Sequence, residues 1–171
     1  MKHLFIICFV LLLTLPSGAQ DSLNNSETTT YYFIRHADKD RSDKTNKDPN
    51  LIQAGILRAA KWSLVFENID FDAVYSTNYN RTKQTAQPTA EKKGLEVTIY
   101  DPRELFSETF ANNTKGKTVL VVGHSNTTPA FVNAVLGTKK YKDIDDNNYA
   151  NLYIVTISAS GEKSSTVLVI D

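Results

Sequence analysis

The sequence predicts an α/β fold, a single-domain three-layer α/β/α sandwich with a mostly parallel central sheet and a C-terminal β-hairpin. Three observations carry this expectation. Short β-prone runs alternate with stretches of helical spacing, the pattern of βαβ units. Two of the runs, Tyr31-Tyr32-Phe33-Ile34 and Val119-Leu120-Val121-Val122, are apolar or aromatic at every position, as expected of strands covered on both faces. The last two β-prone runs face each other across Ser160-Gly161, a hairpin signal. There is no internal repeat and no interdomain linker.

The N-terminus stands apart from the fold. Lys2 supplies a positive start, Leu4 to Leu15 is almost wholly apolar, and Ser17-Gly18-Ala19 offers small residues for cleavage before Gln20. This reads as a secretory signal peptide over residues 1–19. The alternative, a retained anchor, suffers from length, because a membrane span needs about 20 apolar residues. No span is expected after signal removal. The expected location is therefore exported, periplasmic or secreted, with cleavage near Ala19. The single cysteine, Cys8, lies inside the signal, so export brings no disulfide framework. Residues 20–30, rich in Ser, Thr and Asn, read as a flexible leader, and residues 31–171 as the folded domain.

Within that domain, Thr29 to Ile34 reads as the first strand. The Asp-, Lys- and Asn-dense stretch from Asp38 to Asn50 reads as a loop. Leu51 to Glu67 places apolar or small residues at helical spacing. Phe71 to Ser76 is the second strand and Asn80 to Lys93 a helix stopped by Gly94. Leu95 to Tyr100 is a strand, Arg103 to Asn112 a short helix, and Lys117 to Val122 a buried strand. Pro129 to Leu136 is a helix ended by Gly137, with proline suited to its first turn. Leu152 to Ser158 and Ser164 to Ile170 form the hairpin.

The chain has 19 basic and 19 acidic residues. That balance argues against a nucleic-acid partner and against a general polyanion binder. Any attraction for anions must be local. Beyond the signal only His36 and His124 remain of the three histidines. Each ends an apolar run, where ligands of open α/β sheets bind. Arg35 precedes His36. An imidazole can attack phosphorus, and a neighbouring guanidinium can neutralise and orient phosphoryl oxygens. Arg81 falls at the start of a helix, where backbone N–H groups already favour an anion. Gly123 permits close backbone approach before His124, and Ser125, Asn126 and Thr127 can cap the next helix or donate to a ligand. Taken singly, Arg35-His36 reads equally as a surface pair, Arg81 as a solvated helix charge and His124 as a satisfied core histidine.

Taken in order, Arg35-His36, Ser76 through Arg81 to Thr85-Ala86, and Gly123-His124 resemble the histidine phosphatase superfamily, also described as phosphoglycerate-mutase-like, and in particular its short exported bacterial members. The resemblance spans Tyr31 to about Gly137. It implies that His36 is the nucleophile that becomes phosphorylated, that Arg35 and Arg81 bind the phosphoryl group, and that His124 completes the pocket, with Ser125 and Asn126 beside it. It implies no metal and no cofactor, and a small phosphorylated substrate. The family's general acid is a carboxylate after the third strand. Glu104 is the best positional match, with Asp38 and Glu108 as rivals. If none acts, good leaving groups are favoured, such as the nitrogen of a phosphohistidine. The expected activity is hydrolysis of phosphomonoesters or phosphoramidates through a phosphohistidine. Narrower or different readings are a phosphatase of envelope sugar phosphates or of phosphohistidine, a mutase, a phosphate-binding module without turnover, and a metal site built from His36, His124 and a carboxylate. The loop from Asp145 to Asn151 is too irregular for an EF-hand; it is expected to be a plain turn, with the pocket rim as the alternative, and the mixed-charge loop from Asp38 to Lys44 is expected to be solvated, with substrate reading as its alternative.

Overall fold

The computed structural model describes residues 28–170. The signal peptide and most of the leader lie outside the described residues. Six strands and four helices follow in the order β1 (Thr29–Arg35), α1 (Gln53–Val65), β2 (Ala73–Ser76), α2 (Asn80–Lys93), β3 (Val97–Ile99), α3 (Glu108–Thr114), β4 (Thr118–Gly123), α4 (Thr127–Leu136), β5 (Asn151–Ile157) and β6 (Lys163–Val169). The strand begins at Thr29, so Thr29 and Thr30, placed in the leader by the sequence boundary, belong to β1.

All six strands form one sheet in the order β3-β2-β4-β1-β5-β6. Pairing is parallel from β3 through β1 and antiparallel for β1 with β5 and β5 with β6. The alternation of side chains across a strand sorts the core into two layers. Tyr31 and Phe33 of β1, Val119 and Val121 of β4, and Tyr153 and Val155 of β5 point to one face, under Phe110 of α3 and Phe131, Val132 and Val135 of α4. Ile34, Leu120, Val122 and Leu152 point to the other, under Trp62 and Phe66 at the end of α1 and Ala86 and Ala90 of α2. Phe131 lies against Phe33, Tyr100 and Phe110, with ring centroids 5.2, 5.4 and 4.9 Å away. Trp62 stacks on Phe66 at 5.5 Å.

α2 and α4 end where the sequence says. Gly94 and Gly137 close α2 and α4 with φ of 65° and 72°, the left-handed conformation that suits glycine. Pro88 sits inside α2 despite the lost hydrogen bond; its neighbours Ala86, Thr89 and Ala90 are buried and hold the helix to the sheet. One helix is displaced from its expected place. The predicted start at Arg103 fails because Phe106 takes φ of 49°, which no right-handed helix can contain. The helix begins instead at Glu108, where Ser107 accepts a hydrogen bond from the Phe110 N–H.

Candidate functional site

The topology makes the site. β2, β4 and β1 lie side by side and parallel, so their carboxyl ends are neighbours. The register sets Arg35 opposite Gly123 and Ser76 opposite Val122. His36 and His124, each one residue beyond its strand, therefore emerge together, with ring centroids 5.4 Å apart and the rings nearly perpendicular. Both chains stay pinned at the exit. The His36 N–H donates to the Gly123 carbonyl, and the His124 N–H donates to Thr127 Oγ1.

His36 Nδ1 lies 2.8 Å from the Ala37 carbonyl. A carbonyl only accepts, so Nδ1 carries the proton and Nε2 keeps a free lone pair. Burial, together with the positive charges of Arg81 and Arg35, holds the imidazole pKa at about 3, so the ring is neutral at physiological pH. His124 is held at about 4, first by burial and then by Arg81, Lys39 and Arg35. Its Nδ1 faces Arg81 Nη2 at 3.4 Å and its Nε2 faces Thr77 Oγ1 at 2.9 Å. Arginine only donates, so Nε2 bears the proton and donates to Thr77, whose hydroxyl donates in turn to Thr82.

Arg35 is almost fully buried. Its Nη1 donates to the carbonyls of Asp145, Asp146 and Asn148, its Nη2 to Asp146 Oδ1 at 2.8 Å, and its plane lies over the Tyr149 ring at 4.5 Å. The loop expected to be a plain turn is thus the cradle of Arg35, a role invisible to sequence because it is played by main-chain carbonyls. Asp146 is shared with Arg41. Arg81 lies over Tyr79 at 4.4 Å and 3.6 Å from Asp48 Oδ1. Three guanidinium donors remain buried without a hydrogen-bond partner: Nε of Arg35, and Nε and Nη1 of Arg81. Unsatisfied buried donors are costly; Arg81 Nη1 is offset in part by its ion pair with Asp48, and both arginines line the hollow where an anion would meet their charge.

These groups line one hollow of about 350 Å³, walled by Arg35, His36, Arg81, His124, Ser125, Asn126 and Thr127, with Lys39, Tyr79, Pro102 and Asp146 at its sides. Of the predicted site residues, all except Glu104 meet here. Glu104 is exposed and faces a separate groove with Thr98, Ser107 and Asn113. The rivals are elsewhere too. Asp38 is ion-paired to Arg58 at 2.8 Å, and Glu108 is exposed on the first turn of α3. Glu104 was matched by its place after the third strand; the chain beyond β3 carries it to the neighbouring groove instead of the hollow. Asp146 does line the hollow, but Arg41 and Arg35 hold its carboxyl at about 2, where it is an anion rather than an acid. Among the described residues no group of three or more His, Cys, Asp or Glu is placed to hold a metal ion.

The sequence singled out none of Lys39, Tyr79, Tyr149, Asp48 and Asp146 as a site residue, although Lys39, Tyr79, Tyr149 and Asp146 lie in segments it marked: the charged loop after His36, the run that leads to Arg81, and the Asp145–Asn151 stretch. Tyr79 and Lys39 sit within a few residues of Arg81 and His36, and proximity was the available signal. Asp48 caps α2 from the preceding loop through the Asn80 N–H, which no local pattern announces. Thr85 accepts from the Ala37 N–H and donates to the Arg81 carbonyl, tying the His36 loop to α2.

A family model described as histidine phosphatase superfamily (branch 1) matches residues 31–104. Comparison with curated protein sequences gives no match. Among solved structures, the chain is similar to a mycobacterial glucosyl-3-phosphoglycerate phosphatase at 13% identity and a TM-score of 0.67, covering 85% of this chain and 100% of that one. It is similar to the protein histidine phosphatase SixA in complex with tungstate at 15% identity and a TM-score of 0.63, covering 82% and 96%. A phosphoglycerate mutase from Bacillus anthracis aligns at 17% identity and a TM-score of 0.61, covering 84% and 94%. At these identities the likeness is one of fold.

Proposed function

We propose that this chain, a member of the histidine phosphatase superfamily, is an exported phosphatase that hydrolyses phosphomonoesters or phosphoramidates through a phosphohistidine on His36. The observation that carries the reading is the set of buried, unpartnered donors of Arg35 and Arg81 around an imidazole whose Nε2 lone pair is free. The phosphoryl oxygens take up those donors. Nε2 attacks phosphorus, the leaving group departs with its bonding pair, and water then cleaves the P–N bond. His124 accepts from Arg81 at Nδ1 and holds that guanidinium at the hollow, so its support of the developing charge runs through Arg81. No metal is invoked in these steps.

The absence of a protonated carboxyl group among the described residues lining the hollow favours leaving groups that depart unassisted. This supports phosphoramidates and weakly basic alcohols over an envelope sugar phosphate, whose alkoxide needs a proton. Export rests on the signal pattern of residues 1–19. N-terminal sequencing of protein from the extracytoplasmic fraction should begin near Gln20.

The test is a pair of measurements on the purified chain with a generic aryl phosphate. Turnover should persist with a chelator and vanish in His36→Ala. Rapid quenching in denaturant at alkaline pH should trap a phosphoenzyme that is alkali-stable and is lost on acid treatment. Full activity in His36→Ala would overturn the mechanism. Stabilisation by phosphate without any turnover would instead support a binding module.

A further inference from the structure

The phosphate hollow does not end at its own walls. Tyr79 and Pro102 also bound a second, larger hollow of about 580 Å³, whose other walls are Asn78, Ile99, Tyr100, Asp101 and Arg103. Sharing two walls, the hollows are immediate neighbours on the same face of the site. Their chemistries differ. The first is lined by cations and hydrogen-bond donors. The second presents the exposed side chain of Ile99, the Pro102 ring and the Tyr79 ring. Among the described residues its charged groups are Asp101 and Arg103, which are paired with each other through two nitrogens of the guanidinium. The Tyr79 ring is fixed edge-on against His124 at 5.0 Å and beneath Arg81.

The geometry points to this second hollow as the leaving-group subsite, built for a planar aromatic ring carrying the phosphoryl group as a phenolic ester. The inference rests on the phosphatase reading above and deepens it. Two independent observations meet in it. The apolar walls of Ile99, Pro102 and Tyr79 match a flat uncharged ring, whose burial there is favourable. The described residues lining the two hollows also include no carboxyl group ready to protonate a leaving group, since Asp101 and Asp146 are both paired with arginines and held ionised. A phenol ionises near pH 10, so it departs as the phenolate, where an alkyl alcohol would not. In the step, the His36 Nε2–P bond forms as the P–O bond to the ring oxygen breaks. The phenolate leaves with the electron pair and takes a proton from water. A second water then cleaves P–N, releasing phosphate and neutral His36.

Binding and turnover are measured separately on the full chain. Calorimetry compares 2-naphthylmethylphosphonate with methylphosphonate, both inert to hydrolysis. The aryl ligand should bind about tenfold more tightly, a difference of roughly 1.4 kcal/mol. Ile99→Asp should abolish that preference while leaving methylphosphonate affinity and hydrolysis of acetyl phosphate, which has no ring, unchanged. Ile99→Ser serves the same purpose should the charged variant fold poorly. Equal affinity for both phosphonates in the parent chain, or tighter binding of a sugar phosphate than of the aryl ligand, would overturn the subsite. Failure to hydrolyse acetyl phosphate would instead strike the phosphatase reading, and the aryl preference in binding would still decide the subsite.

Discussion

Gly123→Ala should damage both the fold and the site, and the size of the effect follows from the geometry. A Cβ at position 123 would lie 2.7 Å from Thr128 Oγ1, 3.0 Å from the Tyr100 hydroxyl and 3.1 Å from Thr127 Oγ1. None of these neighbours is the loose end of a flexible chain. Thr128 and Tyr100 are buried, Thr128 donates to the Ile34 carbonyl, and Thr127 accepts from the His124 N–H. Relief requires α4 to shift outward by some tenths of an ångström or these bonds to lengthen. Overpacking of this kind costs roughly 1–3 kcal/mol, equivalent to a fall in melting temperature of about 3–10 °C for a domain of this size. Urea unfolding should show a lower midpoint with an unchanged slope. His124 follows directly in the chain, so kcat/KM should fall further than stability alone explains. An unchanged urea midpoint together with parent-level turnover would refute the argument that glycine is required here for space.

Four further outcomes are expected. Below pH 6.5 the unfolded chain protonates both histidines while the fold keeps His36 neutral to about pH 3 and His124 to about pH 4. The unfolded state then binds more protons, so stability should decline steadily as pH falls through that window, by a few kcal/mol in all; urea midpoints from pH 7 to 4 measure it. In the same range kcat/KM, corrected for the second phosphate ionisation near pH 6, should show no acid limb at the ordinary imidazole pKa. Arg35→Lys keeps the charge but cannot span three carbonyls, Asp146 and a ligand at once; turnover should drop by two orders of magnitude or more, with KM raised. Phe131→Ala removes a fully buried ring and should destabilise by about 3–5 kcal/mol, read by thermal and urea unfolding.

The layers of the fold were legible because the central strands carry unbroken apolar or aromatic runs, Tyr31 to Ile34 and Val119 to Val122, as expected of burial on both faces. The helix ends were legible where glycine takes a positive φ. The α3 boundary was not, because Phe106 adopts a left-handed conformation that its residue type does not announce. At the site, the residues that project from β1, β4 and the start of α2 could be paired by reasoning about strand ends. The general acid could not, since its expected place depends on the course of an irregular turn. Nor could the cradle of Arg35, because a carbonyl belongs to every residue type alike.

That cradle has a consequence for how the protein loses activity. Arg35 is rooted in the sheet, but its orientation depends on residues 145–149, which belong to no strand or helix. Segments of this kind open with far less free energy than a core strand. A brief excursion of the loop leaves the sheet, His36 and His124 in place while the guanidinium loses its aim. Inactivation on warming should therefore run ahead of the melting of the domain and reverse on cooling, and amide exchange at 146–149 should outpace that of β1.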